Sequence, residues 1–466
     1  MDKISVNEIL HAAKGRLLSG DAGTLITGVR HDSRECGAGD LFVAVCGEKN
    51  DGHDYIESVI SSGAAAVMVS HEGPWLEKAR AEGTAVIMVE DTVYAMGELA
   101  GYYLDKLDVR KVAVTGSVGK TSVRDMVYYI LSEKYVCGRN MKNYNNDIGL
   151  PLSIFQFDSS TEAVVLEMGM SGYGEIDRLA GIVRPDIGII TNIGVAHIEN
   201  LGSREGIFKA KMELAGHIPE SGTLVFEKSD MLTKESTAGD YRQVSAGTDA
   251  DCDYVISNID DRGIKGIEFT LEHEGQTFDV SLPVPGKHNA LNSAVAVAAG
   301  ELLGVSAEDA LKGLSRLELT GRRLRYIRGR QAGVIDDTYN ASPDSMKSAL
   351  KVLESSPLPE EGGSKRTAIL GDMFELGDES RMQHREVGRF AAGLDIDRII
   401  AVGSDAREIF EGAQGGRAEV MYFSTKEEFY ARLGEFAGKG DIILVKGSRG
   451  MKMEDIVEKL IEYQEL

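Results

Sequence analysis

Short, continuous apolar runs recur along the chain, each ending in glycine or a polar residue. They are LFVAVCG, AAAVMVS, AVIMVE, VAVTG, AVVLEMG, DIGIITNIG, TAILGD, RIIAVG and DIILVKG. Runs that are apolar throughout, rich in β-branched residues, predict strands buried on both faces. Between them lie helical patterns. In SVRDMVYYILSEKY, for example, Val123, Met126, Val127, Ile130 and Leu131 fall on one face. Strands alternating with helices predict an α/β protein with parallel sheets covered on both sides. One segment departs from this. YVISNIDDRGIKGIEFTLEHEGQTFDVSLPV reads as added antiparallel strands, with turns at GIKG and HEGQ.

Three blocks follow. Residues 1–92 form a small α/β unit. Residues 93–319 open with the amphipathic YAMGELAGYYL, carry the antiparallel segment and end in a helix around GVSAEDALKGLSRL. Residues 320–466 hold the last three strands and read as a second doubly wound, Rossmann-like unit. A length of 466 residues suits several domains.

Charge narrows the partners. With 51 Lys and Arg against 74 Asp and Glu, the net charge is −23, which disfavours a general nucleic-acid binder. Local basic pockets for small anions remain open. Cys36, Cys46, Cys137 and Cys252 are far apart with no CxxC pair, pointing to a reducing compartment and neither a disulfide framework nor a zinc site. The N-terminal MDKISVNEILHAAKG lacks a signal-peptide pattern, and the apolar runs are too short to span a bilayer. A cytoplasmic setting without membrane insertion is the expectation.

The chemistry centres on VAVTGSVGKTS at 112–122, between a strand and a helix. This is the setting of a phosphate loop. Backbone N–H groups and a helix N-terminus attract the anion, Lys120 neutralises charge and the Thr121 hydroxyl can ligate Mg²⁺. The spacing is shortened: Gly116 and Gly119 precede Lys120 and Thr121, and Val114 stands where the longer loop has its first glycine. Gly116, Ser117, Val118, Gly119, Lys120, Thr121 and Ser122 are therefore candidate ATP contacts. Two further strand ends carry polar groups, Glu167 in VVLEMGM and His197 in IITNIGVAHIENLGS. Ligands in open parallel sheets bind beyond the carboxyl ends of strands. A carboxylate and an imidazole there suit a divalent cation.

Together these residues resemble the Mur ligase family, which builds the peptide stem of the bacterial cell-wall precursor. TGSVGKT, LEMG with Glu167, AHIENLGS with His197, FKAKMEL with Lys211, PGKHNALNSAVAVAA and GRR at 321–323 match its pattern over nearly the whole chain. DDTYNASPDSMKSAL, GDMFELGDES, VKGSRGMKME and NYNNDIGLP are nearest to the member that joins D-alanyl-D-alanine to UDP-N-acetylmuramoyl-tripeptide. The Asp-Asn-Pro-Arg element of the sibling that adds the third stem residue is lacking.

The resemblance implies a three-domain ligase using ATP and two Mg²⁺ ions, acting as a monomer on two small-molecule substrates. Its catalytic set would be Lys120, Lys211, His197 and Arg322. Thr121 and Glu167 would hold one Mg²⁺; His197 and Lys211, as a carbamate, would hold the other. A bare Lys211 ammonium beside two cations is disfavoured. Asn289 and Asn292 would flank adenine, with helix capping a sound alternative for Asn289. Arg322 would reach the γ-phosphate, Asp337 the ribose, and Tyr339 and Asn340 the nucleotide. Ser33, Arg34, Asp51, Gly52 and His53, in HDSRECGAGDLFVAVCGEKNDGHDYI, would contact the UDP-sugar, although DSR and NDGHD alone read as a turn and a loop tip. Asn145 and Asn146 would position the substrate, and Ser448 and Arg449 the peptide or dipeptide. Asp372 and Glu375 read as local structure. The third-residue ligase, a folylpolyglutamate synthase-like ligase, a generic nucleoside-triphosphatase and a non-catalytic scaffold remain open at this stage.

Overall fold

The computed structural model describes residues 1–47, 49–141, 143–359 and 363–465. The last residue of the third predicted block, 466, lies outside them. Among the described residues, three large sheets organise the chain, beside a two-stranded pairing of Ile4–Ser5 with Leu25–Ile26. In the N-terminal sheet the strands Arg16–Ser19, Ala85–Met88, Ala66–Val69, Asp40–Val43 and Gly28–Arg30 lie side by side. The first pair is antiparallel and the rest are parallel.

The central sheet has nine strands. Cys137–Arg139, Ala163–Glu167, Arg110–Thr115, Ile187–Ile190, Thr223–Glu227, Arg242–Gly247 and Tyr254–Asp261 run parallel in that order. Ile267–His273 and Gln276–Leu282 then add to the edge antiparallel. Their hairpin turns at Glu274 and Gly275, both with positive φ (49° and 75°), the backbone of a two-residue turn that matches strand twist. The predicted turn at GIKG is a short 3₁₀ segment, Gly263–Lys265.

The C-terminal sheet orders Arg325–Arg328, Gly333–Asp337, Ile442–Lys446, Arg366–Gly371, Arg398–Val402 and Glu419–Phe423, parallel except for its first strand. Its core is its own. By contrast, residues from Ile4 to Leu232 share one apolar cluster across the predicted 92/93 boundary. The helix Thr92–Leu107 forms that seam. Asp91 caps it by accepting from the Tyr94 N–H, and the buried Tyr103 hydroxyl donates to the Phe157 carbonyl while accepting from the Asp2 N–H.

Parallel strands bring their carboxyl ends to one edge. Val112, Ala113 and Val114 are wholly buried, and each such valine contributes about 1.5–3 kcal/mol by leaving water. That burial fixes the strand from which the glycine loop springs. The loop's helix, Lys120–Leu131, packs on the alanine-rich helix Lys287–Leu302. A Cβ at Gly300 would lie 2.3 Å from Ile130, so close packing of the pair requires glycine there.

Candidate active site

The central and C-terminal units face each other across a cleft of about 770 Å³. The glycine loop forms its floor. Gly116 has φ 149°, and a Cβ there would meet Thr191 Oγ1 at 1.9 Å; Gly119 has φ 83° and precedes the helix. The segment 191–194 pins the loop. Asn192 accepts from the N–H groups of Ser117 (on its carbonyl, 3.0 Å) and Val118 (on Oδ1, 3.0 Å), and Ser117 Oγ accepts from the Gly194 N–H. Ser117 and Val118 thus line the cleft as expected, but their amides are engaged by Asn192 instead of pointing to a phosphate. The Lys120 ammonium lies over the loop, donating to the carbonyls of Gly116 (2.8 Å) and Ser117 (3.2 Å). Burial pulls its pKa down, Glu167 opposes this, and Arg323 adds to it.

Glu167 ends its strand 3% exposed and fully engaged. Its Oε2 accepts from the Thr121 hydroxyl (2.7 Å) and sits 3.4 Å from Arg124 Nη1, and its Oε1 accepts from Asn145 Nδ2 (2.8 Å). Asn140 bridges its backbone N–H and carbonyl. Asn145 therefore holds a carboxylate. Asn146 accepts from the Gly149 N–H and caps the next helix, and both asparagines line the cleft. Thr121 and Glu167 together offer hard oxygen donors, a set that fits Mg²⁺.

His197 takes a left-handed backbone (φ 64°) at the start of helix Ile198–Leu201 and presents Nδ1 to Glu375 Oε2 at 2.7 Å. That pairing crosses from the central to the C-terminal unit and holds the Glu375 carboxyl below its usual range. Sequence reading took Glu375 as local; its partner is 178 residues away. A carboxylate behind one imidazole nitrogen leaves the other for a cation, the arrangement that orients metal-binding histidines. Lys211 is 1% exposed in the helix Arg204–Met212, and among the described residues its ammonium has no hydrogen-bond or ion-pair partner. Burial, and then the charge of Lys120, drive its pKa well below the ordinary value. It does not itself line the cleft.

Asn289 and Asn292 are buried on the helix beside the loop. Asn289 is not the cap: Gly286 is, and the Asn289 amide donates to the Pro285 carbonyl at 2.6 Å. Asn292 donates to Asn289 Oδ1, and a Cβ at Gly119 would lie 2.8 Å from Asn292 Oδ1. His288 and Glu227 join them in the wall; burial lifts the Glu227 carboxyl to about 7.

Across the cleft the picture differs from expectation at Arg322. Its guanidinium faces Asp336 (3.4 Å) and Glu458 (2.9 Å), away from the cleft, because two carboxylates of the C-terminal unit outcompete the open side. Arg323 lines the cleft instead, with its guanidinium 3.7 Å from the Tyr339 ring centre. Asp337 pairs with the buried Lys446 (2.6 Å), which also donates to the Asn340 carbonyl (2.9 Å). Sequence reading passed over Lys446. The signal was the one used for Glu167, a charged residue closing a buried parallel strand. Ser448 is buried, donating to the Ala341 carbonyl and accepting from the Phe374 N–H. It braces two loops. Arg449 is exposed and paired with Glu454 at 2.8 Å.

The N-terminal candidates do not line this cleft. Arg34 is exposed and paired with Asp32. Ser33 is half-buried beside it. A Cβ at Gly52 would lie 2.7 Å from the Val45 nitrogen, so the loop needs glycine there. The His53 ring is buried, with Nδ1 2.6 Å from Asp51 Oδ1 and Nε2 accepting from the Ser70 N–H at 3.0 Å. Cys46 Sγ lies 3.3 Å from Asp51 Oδ1 and 3.7 Å from Nδ1, which gives the trio metal-ligand composition. The Ser70 N–H, however, fixes the imidazole proton on Nδ1, and a protonated nitrogen has no lone pair for a cation. The trio is a hydrogen-bonded loop clasp.

Comparison with known proteins agrees with this architecture. The chain matches the Mur ligase family catalytic domain over residues 25–103, the Mur ligase middle domain over 114–300 and the Mur ligase glutamate ligase domain over 322–449. It is 40% identical to the UDP-N-acetylmuramoyl-tripeptide–D-alanyl-D-alanine ligase of Bacillus subtilis, covering 99% of both chains. It superposes on a crystal structure of MurF from Acinetobacter baumannii with a TM-score of 0.91 at 31% identity, again over 99% of both chains. The Thermotoga maritima MurF ligase in complex with ADP gives 0.83 at 28% identity, over 94% of this chain and 98% of that one. Among the described residues no helix is long and apolar enough to cross a membrane. With the phosphate loop, the strand-end carboxylate and all three domain matches in one chain, the protein belongs to the Mur ligase family and is an ATP-dependent ligase.

Proposed function

We propose that this ligase joins D-alanyl-D-alanine to the terminal carboxylate of UDP-N-acetylmuramoyl-tripeptide, in peptidoglycan precursor synthesis. The observation that carries this reading is the full-length likeness to proteins named for that activity, in a chain whose cleft gathers Lys120, Thr121, Glu167, His197 and Arg323. A carboxylate is a poor acyl donor because its leaving group would be oxide. Passing the γ-phosphoryl of ATP to a carboxylate oxygen makes phosphate the leaving group, and the dipeptide amine then displaces it. Positioning and charge neutralisation dominate such transfers.

Lys120 sits over the loop, ready to swing from the Gly116 and Ser117 carbonyls to the phosphates. Thr121 and Glu167 would hold one Mg²⁺, and His197 with carbamylated Lys211 a second; bound there, Mg²⁺ neutralises charge on the phosphoryl oxygens. Carbamylation joins the neutral Lys211 amine to CO₂ with loss of a proton, placing an anion where the buried amine has no partner among the described residues. The buried, pKa-depressed Lys211 supports it. Arg323 takes the γ-phosphate role expected of Arg322, since it is the member of the pair in the cleft. Asn289, Asn292, Asp337, Tyr339 and Asn340 would surround the nucleoside. Asn145, Asn146 and Arg449 would meet the peptide ends. Ser33, Arg34 and the loop held by Asp51, Gly52 and His53 would meet the UDP-sugar. We place the reaction in the cytoplasm, where nucleotide precursors are made. Every proposed group comes from one chain, so a monomer suffices.

Incubation with ATP, Mg²⁺, the nucleotide-tripeptide and the dipeptide is expected to give the nucleotide-pentapeptide by mass. Heavy oxygen placed in the tripeptide carboxylate should appear in the released phosphate. Product with single amino acids but none with the dipeptide would overturn the substrate assignment. Unlabelled phosphate would overturn the acyl-phosphate route.

A further inference from the structure

Behind the cleft runs a buried polar chain that none of the assigned roles uses. Arg124 and Asp125, both fully buried, follow the glycine loop on its helix. Arg124 sits 3.4 Å from Glu167 Oε2 on one side and donates to Asp125 Oδ1 from Nε (3.0 Å) and Nη2 (2.7 Å) on the other. Arg139 Nη1 donates to the same oxygen at 2.7 Å. The other carboxylate oxygen, Oδ2, accepts from the backbone N–H of Thr320 at 2.6 Å. Thr320 lies between the end of the central unit and the first strand of the C-terminal unit, and its carbonyl accepts from Arg323 Nη1 at 3.0 Å. Arg323 then lies over Tyr339. One continuous path therefore joins the carboxylate proposed to hold Mg²⁺ to the arginine in the cleft, through the N–H and the carbonyl of one linker residue, Thr320.

We propose that Asp125 is a positioning residue that latches the hinge peptide at Thr320 to the phosphate-loop helix and so sets where Arg323 stands relative to the phosphates. The proposal rests on the reading that Arg323 serves the transferred phosphoryl group. Two carboxylates, Asp125 and Glu167, face two guanidiniums, Arg124 and Arg139, so the charges balance without the hinge. Asp125 Oδ2 is thus left to fix a backbone group, and that backbone group lies in the segment that joins the central unit to the C-terminal one. A carboxylate is suited to this because it accepts on both oxygens at once. An amide is not. In Asp125→Asn the remaining oxygen is drawn to the two guanidiniums, and the NH₂ then faces the Thr320 N–H, donor against donor.

The test is a double-mutant cycle with a direct readout of the hinge. Asp125→Asn is expected to lower kcat by about 30- to 100-fold while KM for ATP changes less than about threefold, the signature of lost orientation without lost ground-state binding. Combined with Arg323→Ala, it is expected to cost less than about twofold more, because the latch acts through that arginine. Multiplicative losses would overturn the proposal, as would a wild-type kcat for Asp125→Asn. If Arg323→Ala alone turns over normally, the failure belongs to the reading of Arg323 instead. Should Asp125→Asn not fold, hydrogen exchange of the Thr320 amide in the unaltered protein decides. Slow exchange, slowed further by a non-hydrolysable ATP analogue with the nucleotide-tripeptide, is expected; exchange as fast as in an exposed loop, with no response to ligands, overturns the latch.

Discussion

On the central side, Lys211 is buried behind the cleft with no counter-ion among the described residues, while in the cleft wall burial lifts Glu227 to about 7 and the Lys120 ammonium rests on backbone carbonyls. On the C-terminal side, several charges come ready paired: Lys446 with Asp337 and Arg449 with Glu454 in the cleft, and Arg322 with Asp336 and Glu458 away from it. Buried charge that lacks a partner is costly, and it persists where a ligand or a modification completes it. Charge already paired holds shape. The first face is therefore built to receive phosphates and cations, and the second to present a few fixed groups to them. Arg323 differs from these pairs, since its guanidinium lies over the Tyr339 ring and donates to the Thr320 carbonyl instead of meeting a carboxylate.

This contrast is broken most severely on the central face. Lys120→Ala and Lys211→Ala are each expected to lower ligase turnover by about a thousandfold, since each removes a charge from a water-poor site where no other group can substitute. Phosphate release in the presence of both cosubstrates measures it. For Lys211 a second measurement separates carbamate from ammonium. Carbon-13 bicarbonate should give a protein-bound carbonyl signal in the unaltered enzyme and none in Lys211→Ala. A normal rate in CO₂-free buffer, with no such signal, would remove the carbamate from the mechanism.

The two neighbouring arginines sharpen the comparison at intermediate size. Arg323→Ala should cost about a hundredfold in kcat, comparable to the loss of one donor to a developing anion. Arg322→Ala should leave turnover within about twofold and lower stability by about 1 kcal/mol, because Asp336 loses a charged partner but keeps the Thr338 hydroxyl at 2.6 Å. Steady-state rates and urea midpoints of the pair decide. The reverse order would return the phosphate role to Arg322.

That pair also marks where the sequence stops being informative. The strands were legible because two-sided burial demands unbroken apolar runs, as in KVAVT and DIILV, and the antiparallel edge was legible because Ile267–His273 alternates in burial as it does in hydropathy. The glycine loop, Glu167 and His197 stood at strand ends, where chain topology alone brings ligands. Arg322 and Arg323 are chemically identical side chains one residue apart. Which one faces the cleft depends on Asp336 and Glu458, the latter 136 residues downstream, and on the left-handed turn at Leu324 (φ 49°). Similarly, His53 reads as a substrate contact in sequence, yet its ring is closed off by Ser70 and Asp51. Long-range pairing of polar groups leaves no periodicity to read.

The smallest effect tests the seam between the two faces. Glu375 is exposed on the C-terminal side and contacts His197 on the central side, so Glu375→Gln weakens a closing contact without touching the phosphate loop. A screened pair of this kind contributes at most about 1 kcal/mol, and turnover is expected to fall about threefold or less, with KM for the tripeptide nucleotide moving more than kcat. The pH dependence has a definite sign. His197 holds the Glu375 carboxyl below its ordinary pKa, so the contribution is fully present above the usual glutamate range and is lost as pH falls through the lowered value. The stability difference between the unaltered protein and Glu375→Gln should therefore shrink as pH falls below the usual glutamate range. Urea midpoints across that range measure it. A difference that fails to shrink in solution acid enough to protonate the Glu375 carboxyl would mean that Glu375 is not held as a carboxylate by His197, and the two faces would have to be closed by something else.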